Sequence, residues 1–155
     1  MKENVGRRPV VAGVCYRRRD AAVEFLLVRT KRGDKWTFPK GHVEQGEAPP
    51  EAVAREAREE GGVTGVVEQH PLTRYVYPSG SDRGGERPVD AYLLEVSSWT
   101  APAGAEGRRD PAWFSPEDAK ERLAEGGREP RYAEEHGRVV DAALAQITGA
   151  GQRSS

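Results

Sequence analysis

The chain is patterned as short apolar runs separated by polar segments rich in charged residues, glycine and proline. Residues 9–16 and 23–29 have the pattern of buried strands. The polar residues 17–20 between them predict a turn that joins the two strands as a hairpin. Further extended segments are predicted at residues 36–41, 63–68, 72–77, 89–96 and 112–114.

Three other segments carry helix signals. Two prolines fall in the first turn of a predicted helix over residues 49–60, where a missing N–H costs little, and the pair Gly61–Gly62 ends it. Ser115 predicts the N-cap of a second helix, and a last helix is predicted over residues 132–147. Because strands are interleaved with helices, we predict an α/β fold with a mixed sheet covered on both faces.

The composition limits the class of protein. The 155 residues suit one domain, predicted at residues 9–147 between a flexible N-terminus (1–8) and a flexible tail (148–155). The single Cys15 excludes an intramolecular disulfide. A formal net charge of -1 argues against a dedicated nucleic-acid binder. Since neither a membrane span nor a signal peptide is evident, we expect a cytoplasmic protein without membrane or nucleic-acid partners.

The segment with the clearest chemistry begins at Gly41 and continues through the first predicted helix. Glu56, Glu59 and Glu60 share one helical face at i, i+3 and i+4, and Arg55 can hold a carboxylate by a forked hydrogen bond. Three like charges repel each other unless a cation binds there, and Mg²⁺ takes carboxylates together with substrate phosphates. The alternative interpretation is a solvated acidic surface.

The same segment reads G-x5-E-x7-R-E-A-x-E-E-x-G-V, which resembles the signature of the Nudix hydrolases. The resemblance implies an α/β/α sandwich with a central mixed sheet, in which the Nudix box, residues 41–63, forms a loop, a helix and a loop. It also implies hydrolysis of a nucleoside diphosphate linked to another moiety, with Mg²⁺ or Mn²⁺. Ala57 departs from the family pattern, which usually has a larger aliphatic residue there.

The resemblance also implies roles for individual residues. Glu59 and Glu60 match the main metal ligands, and Glu56 matches a ligand or the general base. Arg55 matches the residue that orients the carboxylates. Gly41 matches the position that offers a backbone carbonyl, and Glu47 the loop glutamate that ties the box together or joins the metal shell. A carboxylate outside the box often completes the metal site or acts as base. Glu106 is our candidate for it, with Glu95 as the competitor.

The segment 36–41, W-T-F-P-K-G, and the later segment 113–119 resemble the diadenosine and diphosphoinositol polyphosphate hydrolase branch. Lys40, Arg29 and His42 lie near the box and are candidates to bind phosphates, with surface charge as the alternative.

Tyr75 and Tyr77 share one strand face and are candidates to stack a base, as is Trp36, although strand aromatics are more often core. Arg83 and Arg87 lie in a Gly-rich loop that could close over a polyphosphate.

These features predict a Mg²⁺-dependent Nudix pyrophosphohydrolase that acts on a small nucleotide or polyphosphate, with a preference for diadenosine polyphosphates. A pyrophosphatase that cleans the nucleoside triphosphate pool is the alternative within the same class. A catalytically silent Nudix module that binds nucleotides is the alternative of a different class. The sequence leaves open the general base, the cleavage position and the oligomeric state.

Overall fold

The computed structural model describes residues 8–79, 85–102 and 109–153. Eight strands and three helices follow one another along this part of the chain. They are β1 (Val10–Arg19), β2 (Ala22–Arg29), β3 (Trp36–Thr37), β4 (Lys40–His42), α1 (Pro49–Gly61), β5 (Val63–Val67), β6 (Thr73–Pro78), β7 (Glu86–Trp99), β8 (Ala112–Phe114), α2 (Pro116–Leu123) and α3 (Pro130–Arg153). Among the described residues, no helix has the length and apolarity needed to cross a membrane.

The strands form one mixed sheet whose main path has the order β3-β2-β1-β7-β5. At its centre, β1 runs antiparallel to β2 and β4 and parallel to β7. The strand β6 pairs with the first half of β7, and β8 pairs with β2. The two longest strands, β1 and β7, therefore lie side by side in the sheet, and β4, which pairs with β1, contains the first residues of the Nudix box.

The sheet has an apolar core on each face. Alternate β1 residues, such as Val10 and Val14, belong to one cluster, which α2 and α3 cover. Val11 and Cys15 belong to the other, which α1 covers through Ala52, Val53 and Ala57. Because side chains of a strand point alternately to the two faces, one apolar run serves both layers. The predicted α/β fold, a mixed sheet with helices on both faces, is confirmed.

The hairpin differs from the prediction. The strand β1 continues through Arg19, and the turn consists of Asp20 and Ala21, whose φ angles are 51° and 68°. Two central residues with positive φ match the twist of a two-residue hairpin. Placing the turn at residues 17–20 was wrong because charge was taken as a loop signal. Arg17 instead lies opposite Glu24 and donates to its carboxylate at 2.9 Å.

Other boundaries move outward. The strand β7 begins at Glu86 and ends at Trp99, beyond the predicted 89–96 on both sides. The helix α3 begins at Pro130 and continues to Arg153, past the predicted end at Ile147 and into the predicted tail.

The ends of α1 are fixed by local hydrogen bonds. The Glu51 carboxylate accepts the Ala48 N–H at 2.9 Å at the N-terminus. Gly62 ends the helix with φ 74°, and a Cβ there would lie 2.0 Å from the Thr100 carbonyl oxygen, so the position admits only glycine. These caps set the length of α1 and hold the box against the sheet.

Candidate active site

An open cleft of about 410 Å³ lies where β4 meets the C-terminal half of α1. Its walls combine acidic and basic side chains, and we call it the acidic cleft. It is lined by Arg8, Val10, Lys31, Lys40, Gly41, His42, Glu44, Glu56, Glu60, Tyr77 and Arg109. The mixture suits a cation and a polyanion bound side by side.

Glu56 and Glu60 are the two box carboxylates that α1 directs into the acidic cleft. Each side chain is only 13% exposed. Glu60 accepts the Lys40 backbone N–H at 3.2 Å and lies 3.5 Å from the Arg109 guanidinium. Burial raises the pKa of Glu60 to about 7. Arg109 opposes that rise in pKa, and the Glu56 charge adds to it. Two crowded carboxylates therefore share a site in which a cation would relieve their repulsion.

Gly41 allows the carboxylate of Glu56 to approach the backbone. A Cβ at Gly41 would lie 2.0 Å from Glu56 Oε2, so any side chain there would displace the Glu56 carboxylate. The lack of a side chain at Gly41 therefore explains why glycine occupies this position of the box: it lets backbone and carboxylate oxygens lie close together. Such oxygens are the donors that Mg²⁺ prefers, and the residues present fit a hard divalent cation.

Arg55 is the centre of a hydrogen-bond network on the outer side of this site. It donates from Nε and Nη2 to the two oxygens of Glu47 at 2.9 and 3.0 Å, and from Nη1 to Glu56 at 2.9 Å. Its Nη2 also reaches the His42 carbonyl oxygen at 3.0 Å. The Arg55 fork lowers the pKa of Glu47 to about 2. Arg55 thus binds Glu47 and Glu56 at the same time, and its role in orienting Glu56 stays a prediction.

Glu47 and Glu59 lie outside the lining of the acidic cleft. Both oxygens of Glu47 bind Arg55, and one also accepts the Glu44 N–H at 2.9 Å. These bonds favour the alternative in which Glu47 ties the box together over the one in which it is a metal ligand. Glu59 is 54% exposed and lies 3.5 Å from Arg55. Across residues 8–79, 85–102 and 109–153, no three His, Cys, Asp or Glu side chains are preassembled as a metal site. The metal roles of Glu47 and Glu59 stay predictions.

A second cavity, of about 400 Å³, lies on the other side of Lys40 and Tyr77, and we call it the distal cavity. It is lined by Thr30, Lys35, Thr37, Lys40, Tyr77, Pro78, Gly127, Arg128, Glu129, Tyr132 and His136. Lys40 and Tyr77 line both spaces, and the Lys40 ammonium lies 4.9 Å from the centre of the Tyr77 ring. A smaller space lined by Thr30, Thr37, Lys40 and Glu60, among others, also connects the two.

The substrate-binding predictions divide into two groups. Lys40 and Tyr77 line both cavities, and His42 lines the acidic cleft. Burial lowers the pKa of Lys40, and the charge of Glu60 opposes that change. Arg87 lies beside this cleft, because it donates to the Arg8 carbonyl oxygen at 2.7 Å. Burial is the main cause that lowers the pKa of His42, and the charge of Arg87 lowers this pKa further.

The remaining candidates lie elsewhere. Trp36 is buried and packs edge-on against Phe114, with ring centres 5.1 Å apart, so it is a core residue and not a stacking platform. Tyr75 is likewise buried in the core. Arg29 lies 4.1 Å over the Trp36 ring, on the face of the sheet opposite α1, which removes it from the acidic cleft. Glu95 is exposed on β7 and lines neither cavity. Glu106 and Arg83 lie outside the described residues.

Sequence reasoning missed Arg109, Lys31 and Arg8. Arg109 reaches the acidic cleft because its backbone pairs with Arg29, where β8 joins the edge of β2. It precedes a short aromatic strand, but nothing local indicates which strand that segment will pair with. His136, Arg128 and Thr37 in the distal cavity were missed for the same reason, since they come from distant parts of the chain.

The comparisons with known proteins agree with this architecture. The family model of the NUDIX domain matches residues 6–135. A 58-residue stretch is 45% identical to the 8-oxo-(d)GTP phosphatase of Mycolicibacterium smegmatis, covering 37% of this chain and 18% of that protein. Another of 45 residues is 47% identical to the asymmetrical bis(5'-nucleosyl)-tetraphosphatase of Sus scrofa, covering 28% of this chain and 31% of that protein. The chain thus spans less than a third of the length of these two relatives.

Among solved structures, the crystal structure of a C. elegans Ap4A hydrolase binary complex superposes with a TM-score of 0.70. The match covers 92% of this chain and 98% of that chain, at 24% sequence identity. At this identity the likeness concerns the fold alone.

Proposed function

Because the chain belongs to the Nudix family, we propose that it is a divalent-metal-dependent pyrophosphohydrolase acting on small nucleotide substrates. The observation that carries the proposal is the pair Glu56 and Glu60, two crowded carboxylates in one cleft with Lys31, Lys40 and Arg109 on its walls. The carboxylates fit a divalent cation, and the three cations fit phosphoryl oxygens. A site for only one of these ligands would not need both sets of charge.

The residues divide the chemistry of pyrophosphate cleavage between them. Glu56, Glu60 and the Gly41 carbonyl would hold Mg²⁺, which when bound neutralises phosphoryl charge and orients the attacking water. Arg55 keeps Glu56 in position, and Glu56 can also take the proton of the water. Lys31, Lys40 and Arg109 would hold the phosphate chain in line with the water.

We favour diadenosine polyphosphates as substrates because the two cavities meet at Lys40. A phosphate chain over the acidic cleft can continue past Lys40, with one nucleoside in the distal cavity beside Tyr77. The stretch that matches the asymmetrical tetraphosphatase of Sus scrofa supports this preference. The likeness to an 8-oxo-(d)GTP phosphatase supports the alternative, a pyrophosphatase of the nucleoside triphosphate pool.

One assay tests the proposal. Phosphate-containing products would be measured with Mg²⁺ on a panel of dinucleoside polyphosphates and nucleoside triphosphates, for the wild type, Glu56→Gln and Glu60→Gln. We expect both variants to lose most turnover and remain folded. Glu134→Gln, at an exposed position of α3, is the matched control and should keep it. Equal rates in wild type and Glu60→Gln would refute the metal site, and a wild type inactive on the panel would favour a silent binding module.

A further inference from the structure

The inner wall of the distal cavity contains two buried polar side chains with unused hydrogen-bonding atoms. Thr37 is 2% exposed, and its hydroxyl has no partner in the described part of the chain. His136 is also 2% exposed, and its Nδ1 lies 2.7 Å from the Tyr132 carbonyl oxygen. Buried polar atoms without partners are rare in folded proteins, so the Thr37 hydroxyl on a cavity-lining residue indicates a ligand that supplies the missing bond.

The protonation of His136 follows from this contact. A carbonyl oxygen only accepts, so Nδ1 carries the hydrogen and the neutral ring has its lone pair on Nε2. Burial lowers the pKa of His136 to about 3, helped by the charge of Arg128, which keeps the ring neutral at physiological pH. No described residue donates to Nε2. The ring is held by stacking on Phe38 and by an edge contact with Tyr75. Nε2 is therefore a fixed acceptor.

Arg128 supplies donors on the same wall. Its Nη1 donates to the carbonyl oxygens of Trp36 and Leu123, which fixes the guanidinium. No described acceptor takes its Nε or Nη2. The buried wall thus offers one fixed acceptor, the free donors of Arg128, and a Thr37 hydroxyl that can do either. Glu129, the cavity's only described carboxylate, is exposed at its rim.

We propose that this wall recognises an amino-bearing purine base of the adenine type, with His136 Nε2 accepting a hydrogen bond from its amino group. The inference rests on the proposed function only in seating a nucleotide in the distal cavity. Arg128 and Thr37 would donate to the ring nitrogens of the base. Adenine presents one amino donor and several ring acceptors, which matches this wall. Guanine carries an additional ring N–H donor, for which the wall has no second fixed acceptor.

The test is nucleotide binding by metal-free protein in EDTA, so that it does not depend on hydrolysis. Calorimetry would compare AMP with purine riboside 5'-monophosphate, which has hydrogen in place of the amino group, and with GMP. We expect AMP to bind about tenfold more tightly than either, because without the amino group Nε2 has no donor to pair with. Equal affinity for AMP and purine riboside 5'-monophosphate, or tighter binding of GMP, would overturn the proposal.

Variants at the two orphaned hydroxyls provide a matched pair. Thr37→Val removes the unpartnered hydroxyl of a residue that lines the cavity, and Tyr75→Phe removes an unpartnered hydroxyl from a buried residue that does not line it. We expect Thr37→Val to weaken AMP binding about three- to tenfold without lowering the melting temperature, because the hydroxyl has no bond to lose within the fold. Tyr75→Phe should bind AMP as the wild type does. Equal AMP affinity in Thr37→Val and the wild type would contradict the assignment.

His136 itself is tested by rescue. His136→Phe keeps a ring against Phe38 and removes the acceptor, so it should bind AMP and purine riboside 5'-monophosphate equally. His136→Gln restores an acceptor and should recover part of the preference. A preference for AMP that survives in His136→Phe would refute the role of Nε2. If the wild type prefers AMP but hydrolyses no nucleotide, the proposed function fails and this inference stands.

Discussion

Arg55 shows how much of the site depends on one guanidinium. It binds Glu47 with a two-pronged fork, reaches Glu56 with a third bond and holds the His42 carbonyl oxygen with a fourth. The planar fork of arginine allows this set of contacts at one place, whereas a lysine ammonium is a compact point charge. The position of the Glu56 carboxylate over Gly41 therefore depends on the shape of Arg55 as well as on its charge.

Arg55→Lys is expected to lower kcat on the order of 100-fold, because it keeps the charge but releases Glu56 from its position. Steady-state kinetics with Mg²⁺ would measure the loss. Arg58→Lys, at an exposed position of the same helix, is the control and should retain kcat. A wild-type kcat in Arg55→Lys would contradict the positioning role.

His136 gives the stability of the protein a defined pH dependence. Its folded-state pKa of about 3 lies below the usual 6.5, so between these values the unfolded chain binds the extra proton. Stability from this group is present above about pH 6.5 and is lost as the pH falls towards 3. At pH 5 we expect a loss of about 2 kcal/mol relative to pH 7.

Urea unfolding at several pH values would measure this loss. The part of the acid destabilisation that comes from His136 should disappear in His136→Phe. His70→Gln, which removes an exposed histidine, should follow the wild-type profile. The same pH slope in wild type and His136→Phe would assign the acid sensitivity to other groups.

At the scale of elements, α1 lies unusually close to the centre of the sheet. A Cβ at Gly13 of β1 would lie 3.2 Å from Val53 and 3.9 Å from the Ala57 Cβ, and Ala57 is fully buried. A larger aliphatic residue at position 57 would have to push the helix away from β1. The departure of Ala57 from the family pattern therefore matches the glycine it faces.

Replacing Ala57 by the larger aliphatic residue of the family pattern is thus expected to destabilise the folded protein. Ala57→Leu should lower the free energy of unfolding by about 1–3 kcal/mol through overpacking, measured by chemical denaturation. Ala145→Leu, at an exposed position of α3, should change it little. If Ala57→Leu is as stable as the wild type, the close approach of α1 and β1 is not a packing constraint.

Local sequence signals predicted most of the helices and strands. The features that were not predicted depend on pairing between residues far apart in the sequence. The prolines and glycines at its ends predict the limits of α1 closely, because these residues restrict or free the backbone at their own positions. The turn after β1 was misplaced because charged residues also occur on strands, where Arg17 pairs with Glu24.

The candidate site divides in the same way. The spacing of Glu56 and Glu60 places both in the cleft, because helix periodicity is local. Periodicity does not determine that Glu59 lies exposed beside Arg55, nor that Trp36 is covered by Phe114. Arg109 and His136 arrive through the pairing of β8 and the packing of α3. Such contacts have no signature within a few residues of either partner.

For the molecule as a whole, the overall charge of -1 hides an uneven distribution. Residues 41–63 are predominantly acidic, and the rest of the chain is slightly basic. The crowded carboxylates Glu56 and Glu60 still repel each other in the acidic cleft, and a bound divalent cation would relieve that repulsion. A ligand that binds only the folded protein also raises its stability by mass action.

Mg²⁺ at about 100 times its dissociation constant should therefore stabilise the protein by about 2.7 kcal/mol and raise its melting temperature by roughly 5 °C or more. Thermal melts with Mg²⁺ and with EDTA at matched ionic strength would measure the shift. The doubly neutralised variant Glu56→Gln/Glu60→Gln should lose it, and Glu134→Gln should keep it. An equal shift in the double variant would place the cation elsewhere.

Lys40 contacts both the proposed metal site in the acidic cleft and the proposed nucleotide site in the distal cavity. Its backbone N–H holds Glu60, while its ammonium lies over Tyr77 on the border of the distal cavity. A ligand bound at Glu60 and a ligand bound beside Tyr77 therefore contact the backbone end and the side-chain end of the same residue. Metal and nucleotide should consequently bind cooperatively, and thermodynamic reciprocity requires each to change the affinity of the other by the same factor.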